Sequence, residues 1–378
     1  MASTLVTLGM LTIGSNAQCL DFTSKNLYIS LDEIVKGAEG SNSTSEPGLT
    51  GILGGAGTFA VVGARIVGGK SRARLIGWVV HTGHDFPCAA REELDSWNVN
   101  TNYIDTPDRA TTRARNVYSG EHRGFEFVTP KMHVDHTMLD TNLLQAKVFH
   151  LIGTPERCIT LVDGIHGHRS TMEQSDAGVI SMQKPLFVWE PMENSCCPEN
   201  LSQFQKAMRL VDVFSPNEDE FAKLIGYHFE TPGILPLAIL QKSCLEFIRE
   251  CDLQAVVVRL GARGVYIAAK GQKDRVLPAF HSASPEHPVR KVIDVTGGGN
   301  SFLGAYSLVL ADPSSFTRQV PTDFNLHETA ALMGTVAASF VIEQVGMPKF
   351  RDDHQNENHE RWNGDIVGRR VAELVDRL

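Results

Sequence analysis

The chain has 378 residues, 42% hydrophobic and 21% charged, a balance that suits a folded protein with a sizeable core. Its formal net charge of -9 and the absence of any Lys/Arg run exclude the clustered cations that a nucleic-acid partner needs. Seven cysteines, an odd number that includes the vicinal pair Cys196 and Cys197, match neither a disulfide framework nor a zinc motif, and point to reduced thiols in a cytoplasmic setting.

Residues 5–13 are apolar, but the run is short and lacks a basic leader. It reads as a buried first strand over 4–8 that ends at Gly9, rather than as a signal segment. No stretch reaches the ~20 apolar residues of a membrane span. Residues 26–34 alternate like a strand, and 36–49 form a loop rich in Gly, Ser and Thr. Gly54 and Gly55 then open a small-residue helix over 58–67. A buried strand over 75–81 ends at Gly83-His84-Asp85, and 111–128 alternates like a hairpin with its turn at 119–124. From 147 onward, strands at 148–152, 185–190, 211–215 and 255–260 alternate with helices at 170–181, 201–210, 218–225 and 237–250. A polar loop over 352–363 and a final helix follow. Such alternation predicts an α/β fold with a mainly parallel central sheet and helices on both faces. Neither an internal repeat nor a linker divides the chain, so residues 1–378 are expected to form one domain.

The segment Val292-Ile293-Asp294-Val295-Thr296-Gly297-Gly298-Gly299-Asn300-Ser301-Phe302-Leu303-Gly304-Ala305 carries the chemistry. It reads as a β-branched strand, three glycines, and a small-residue apolar helix. Consecutive glycines let the backbone aim several N–H groups at one point, and the helix dipole adds positive potential there. The result is an anion hole suited to a phosphoryl group. The alternative is a tight turn before a buried helix.

This segment resembles the second signature of the pfkB/ribokinase family of carbohydrate kinases, Asp-Thr-x-Gly-Ala-Gly-Asp. Further similarities follow in order. Gly54-Gly55 before a small-residue helix is similar to the family's sugar-side signature. Ser215-Pro216-Asn217-Glu218-Asp219-Glu220 is similar to its Pro-Asn-x-x-Glu stretch, and residues 256–265 to its nucleotide-side strand and glycine turn. Residues 337–346 are similar to its closing helix. The Gly-Gly-Gly-Asn form resembles a fungal branch, the maintenance-of-killer-like proteins. The resemblance implies a ribokinase-like fold with a small β lid drawn from about 21–35 and 106–130. It also implies ATP and Mg²⁺ as cofactors, a small-molecule substrate, and a homodimer formed through the lid.

By the same resemblance, Gly297, Gly298, Gly299 and Asn300 would be the catalytic loop, and Gly54, Gly55, Phe59 and Asp85 the substrate side. Asn217, Glu220, Arg259, Gly261, Gly264 and Asp294 would be the nucleotide side, with Asn217 and Glu220 holding Mg²⁺ indirectly. The residues leave alternatives open. Asn217 and Glu220 also suit a helix cap. Asp294 either holds Mg²⁺ through water or caps the turn. Arg259, a charge late in an apolar strand, either reaches a phosphate or pairs with a structural carboxylate. His133 with His136, and His166 with His168, read as surface or hydrogen-bonded histidines rather than metal ligands.

Three departures from the family pattern stand out. Asn300 replaces the aspartate base, Gly14 stands where a substrate-binding Asp is usual, and Phe59 where an Asn is usual. An amide has no useful basicity, and losing a general base costs ~10²–10⁴-fold. Two functions therefore follow: an ATP-dependent kinase for a hydroxyl of a sugar-like or nucleoside-like molecule, or a catalytically impaired pseudokinase that binds a nucleotide or metabolite and acts through a partner.

Overall fold

Runs such as Leu186–Pro191 and Ala255–Arg259 bury side chains on both faces, as strands do when helices cover a sheet from both sides. The computed structural model describes residues 2–19, 50–119, 122–175, 182–229, 234–281, 291–352 and 360–378. The strand and loop expected at 26–34 and 36–49, and the lid portion at 21–35, lie outside the described residues. Among the described residues, the central sheet has nine strands. From one edge they are Arg275–Leu277, Val265–Ala269, Ala255–Arg259, Val213–Phe214, Leu186–Pro191, Val148–Gly153, Leu5–Thr7, Ile76–Gly83 and Asn100–Thr106. Val265–Ala269 pairs antiparallel with both of its neighbours, and all other neighbours are parallel.

Two cores flank the sheet, and alternate strand residues feed them. Val148, Val188 and Val257 face one core with the helices Ala56–Arg72, Gly298–Ala311 and Leu326–Val341. Phe149, Trp189 and Val258 face the other with Pro155–Ser175, Leu201–Met208 and Leu237–Cys251. A separate four-stranded sheet contains Thr50–Gly54, Thr12–Cys19, Arg113–Ser119 and His122–Phe127, the last two being the hairpin expected within 111–128.

The structure departs from the sequence reading in several elements. No strand precedes the glycine loop. Residues 291–297 are irregular, Ile293 and Val295 are exposed, and two N–H groups, from Ile293 and Asp294, reach the Ile342 carbonyl at the end of a helix. A β-branched run looks like a strand, but among the described residues its N–H groups bond to a helix end and not to a strand. The helix expected at 170–181 begins at Pro155, because tertiary packing overrides the low propensity of Gly164, Gly167 and the β-branched residues before them. Asn100–Thr106, rich in Asn and Thr, is an edge strand that the pattern did not announce.

The helix that follows the glycine loop is held in place by close backbone approach. It packs against Ala56–Arg72, where a Cβ on Gly304 would collide with the Ala60 carbonyl and one on Gly63 with the Ser301 carbonyl. These positions must be glycine, or the two helices separate and the loop moves with them. Gly304→Val is expected to lower thermal stability by at least the ~1–3 kcal/mol typical of overpacking. Thermal melting of the purified variant checks this; the natural melting temperature would show that the contact is soft.

Candidate active site

Parallel strands place their carboxyl ends along one edge of the sheet, where open α/β sheets bind ligands. Glu190 and Arg259 stand at the ends of their strands on that edge, and Asn217 bridges to Arg259 just beyond Val213–Phe214. The glycine loop comes down on them. Gly297 has φ 79°, in the left-handed region that glycine tolerates, and it N-caps the helix Gly298–Ala311 without any side-chain cap bond. Each of the three glycines also has a neighbour in the place of its missing Cβ. On Gly297 that atom would strike the Phe59 ring, on Gly298 it would lie 2.9 Å from Ile342 Cγ2, and on Gly299 it would strike the Arg259 guanidinium. Packing alone therefore demands glycine at these positions.

Arg259 is the hub. Its Nη1 donates to Glu190 Oε1 at 2.6 Å and its Nη2 to the Ser215 carbonyl at 3.0 Å, with Glu220 Oε2 3.5 Å from Nη2. Glu190 Oε2 accepts a hydrogen bond from Asn300 Nδ2 at 2.7 Å, and His150 Nε2 lies 3.6 Å behind it. Burial alone would push the Glu190 carboxyl up, but the Arg259 charge and hydrogen bond, with the His150 ring close behind, hold it at about 2. Glu220 goes the other way. Burial dominates, Arg259 only partly compensates, and the carboxyl rises to about 7. One guanidinium thus keeps one carboxylate firmly ionised and leaves the other near its titration point at neutral pH.

Asn217 and Glu220 form a reciprocal capping box at the start of Glu218–Leu224. Asn217 Oδ1 accepts from the Glu220 N–H at 2.8 Å, and Glu220 Oε2 from the Asn217 N–H at 2.7 Å. The cap alternative is realised in the structure, and only the remaining Glu220 oxygen is left for water around a metal. Asp294 Oδ1 accepts from the Thr296 N–H and hydroxyl, so it caps the turn. Gly54, Gly55, Phe59 and Asp294 line one cavity of about 60 Å³ with Thr12 and Thr296. That is room for water or an ion and far below the ~300 Å³ of a small-molecule site. Asp85 is not part of that cavity. It accepts from the Thr111 N–H and from Arg113, which ties the end of Ile76–Gly83 to the small sheet. Burial pushes the Asp85 carboxyl up, but those donors outweigh it and hold it at about 2. Gly261 and Gly264 take positive φ in the turn between the strands Ala255–Arg259 and Val265–Ala269. His168 and His136 bond to each other at 3.1 Å, and no cluster of three or more metal-ligating side chains occurs among the described residues.

Glu190 and His150 escaped the sequence reading. The available signal was the same one that drew attention to Arg259: a charge closing an apolar strand, here Leu186–Pro191.

The two carboxylates give opposite pH signs. Glu220, raised on folding, contributes stability that is full below the ordinary carboxyl range and is lost as pH rises through about 7. Glu190, depressed on folding, contributes stability that is lost only as pH falls toward 2. Glu220→Gln should therefore gain on the natural chain in melting temperature as pH rises from mildly acid to mildly alkaline. Paired melting scans check this, and a constant difference would mean that Glu220 titrates normally.

Comparison with known proteins places the chain in a family and a fold. The chain is 32% identical to an uncharacterised protein of Schizosaccharomyces pombe, covering 86% of this chain and 87% of that one. It is 29% identical to Protein MAK32 of Saccharomyces cerevisiae, covering 83% and 82%. The fold superposes on ribokinase from Giardia lamblia with a TM-score of 0.65 at 16% identity, over 99% of both chains. No described helix is long and apolar enough to cross a membrane. The sequence pattern of the pfkB family of carbohydrate kinases matches residues 24–350, and the chain belongs to that family.

Proposed function

We propose that the protein is an ATP- and Mg²⁺-dependent kinase that transfers a phosphoryl group to a hydroxyl of a small sugar-like or nucleoside-like molecule. The observation that carries this reading is the N-terminus of Gly298–Ala311, which carries no side-chain cap and starts on three glycines above the strand ends. The Gly298 N–H donates to the Val295 carbonyl at 3.2 Å, and the remaining N–H groups of the loop and first helical turn can stabilise charge that develops on a transferring phosphoryl. Mg²⁺, bound with the nucleotide, would supply charge neutralisation, and the Glu220 oxygen outside the capping box would hold it through water. Phosphoryl transfer has a loose transition state, so most of its catalysis is positioning and electrostatics, which the backbone of the loop 297–299 would supply.

Asn300 supports a second reading. The loop ends in an amide whose Nδ2 is engaged by Glu190, so no basic group stands at that position. A pseudokinase would keep nucleotide binding and lose turnover.

Calorimetric titration with Mg-ATP, followed by ADP release against a panel of sugars and nucleosides, separates the two. The kinase reading expects binding at or below millimolar nucleotide and turnover with at least one acceptor. Binding without turnover across the panel favours the pseudokinase, and no binding removes both. Gly299→Ala is expected to lower turnover ~10²-fold, the cost of displacing one fixed donor. Gly167→Ala, where the added methyl meets open space, is expected to leave it unchanged.

A further inference from the structure

The contact between Asn300 and Glu190 does more than bury two polar groups. An ionised carboxylate can only accept hydrogen bonds, so the amide must present Nδ2 to it. The 2.7 Å bond from Asn300 Nδ2 to Glu190 Oε2 therefore sets the amide, with Oδ1 at its other end. Glu190 itself is locked in place. It is 7% exposed, and its second oxygen accepts from Arg259 Nη1 at 2.6 Å. His150, fully buried, stands 3.6 Å away and is anchored through Nδ1 to Thr7 Oγ1 at 3.1 Å. The carboxylate lies directly behind the loop, 3.7 Å from where a Cβ on Gly299 would be.

We propose that Glu190 and Asn300 act as one unit in which Glu190 is the positioning residue. It holds the amide so that Asn300 Oδ1 accepts the hydrogen bond of the acceptor hydroxyl, and the negative charge of the loop's end resides on Glu190. The role of the acceptor hydroxyl rests on the kinase reading above; the pairing itself does not.

The pairing makes position 300 dependent on position 190. Glu190 requires a donor at 300, and Asn supplies it. Aspartate at 300 would set two carboxylates at hydrogen-bond distance, where they can keep only one charge between them near neutral pH. Glutamine at 190 cannot satisfy two donors. If its oxygen stays on Arg259, its Nε2 meets the Asn300 amide, which must turn over and present Nδ2 to the acceptor. Combining Glu190→Gln with Asn300→Asp makes the pair complementary again: the new amide accepts from Arg259 through its oxygen and donates from its nitrogen to the new carboxylate.

The test is a cycle of four full-length chains: natural, Glu190→Gln, Asn300→Asp, and the double variant. Melting is followed from mildly acid to mildly alkaline pH, with calorimetric titration of Mg-ATP and assay of ATP hydrolysis with water as acceptor. Asn300→Asp should melt close to the natural chain at acid pH, where the pair shares a proton. It should fall behind as pH rises, because a carboxyl raised on folding loses its contribution as it ionises. The double variant should recover, with a pH-independent difference from the natural chain. In hydrolysis, Glu190→Gln should lose about tenfold in kcat with little change in KM for ATP, the pattern of a lost acceptor contact rather than lost nucleotide binding. The double variant should regain or exceed the natural rate. Additive melting effects with no pH dependence in Asn300→Asp overturn the unit. An unchanged kcat in Glu190→Gln, measured in a cycle that does show coupling, overturns the positioning role. Coupling in a set of chains that do not bind Mg-ATP leaves the pair standing and removes the kinase reading instead.

Discussion

The Arg259–Glu190 ion pair is the interaction on which the candidate site depends. A guanidinium at the end of Ala255–Arg259 lies against one of the most apolar parts of the molecule, and such a charge is tolerable only when paired and hydrogen-bonded. Glu190 and the Ser215 carbonyl take Nη1 and Nη2 from neighbouring strand ends, and Nε is left buried without a hydrogen-bond partner among the described residues. The consequences spread outward. The guanidinium occupies the space beside Gly299, so the loop can approach only as glycine. With Arg259 committed to Glu190, its weaker hold on Glu220 at 3.5 Å is not enough to keep that carboxyl low. With Glu190 ionised, the loop's last residue meets an acceptor and needs to bring a donor.

Much of the fold was legible in the sequence, because its signals are local. Apolar runs at 148–152, 185–190 and 255–260 and their alternation with amphipathic stretches suffice to read a parallel sheet covered on both faces. The glycine loop was legible as a helix start for the same reason. The strand expected before it was not there, because a strand needs a partner as well as β-branched residues, and residues 291–297 find only the end of a helix. The helix over 155–175 was under-read because its glycines and β-branched residues obscure a segment that packing holds helical.

The site was legible in outline and not in its connections. Arg259, Asn217, Glu220, Asp294 and the three glycines could each be singled out, but the choice between ligand contact and internal pairing is made in three dimensions. Asn217 with Glu220, and Asp294 with Thr296, satisfy one another, and Arg259 satisfies Glu190. Glu190 lies 69 residues from Arg259 and 110 from Asn300, a separation at which sequence spacing carries no information. What could have flagged it is position alone, a carboxylate closing a buried strand on the edge where such sheets bind ligands.

Asn300, at the position where the family resemblance implies an aspartate, looks, in isolation, like simple loss of a catalytic group. Beside it, Glu190 keeps one negative charge within hydrogen-bond reach of the loop's end, behind a neutral amide. For a reaction that relied mainly on abstraction of a proton, an amide at that position would be ruinous. For transfer through a loose transition state, the larger contributions come from fixed donors and alignment, and a neutral amide can still align a hydroxyl. A carboxylate held at about 2 is a poor base but a permanent acceptor, and permanence is the property that orienting an amide requires. On the proposed reading, turnover depends on whether the Glu190–Asn300 pair keeps Asn300 Oδ1 aligned with an acceptor.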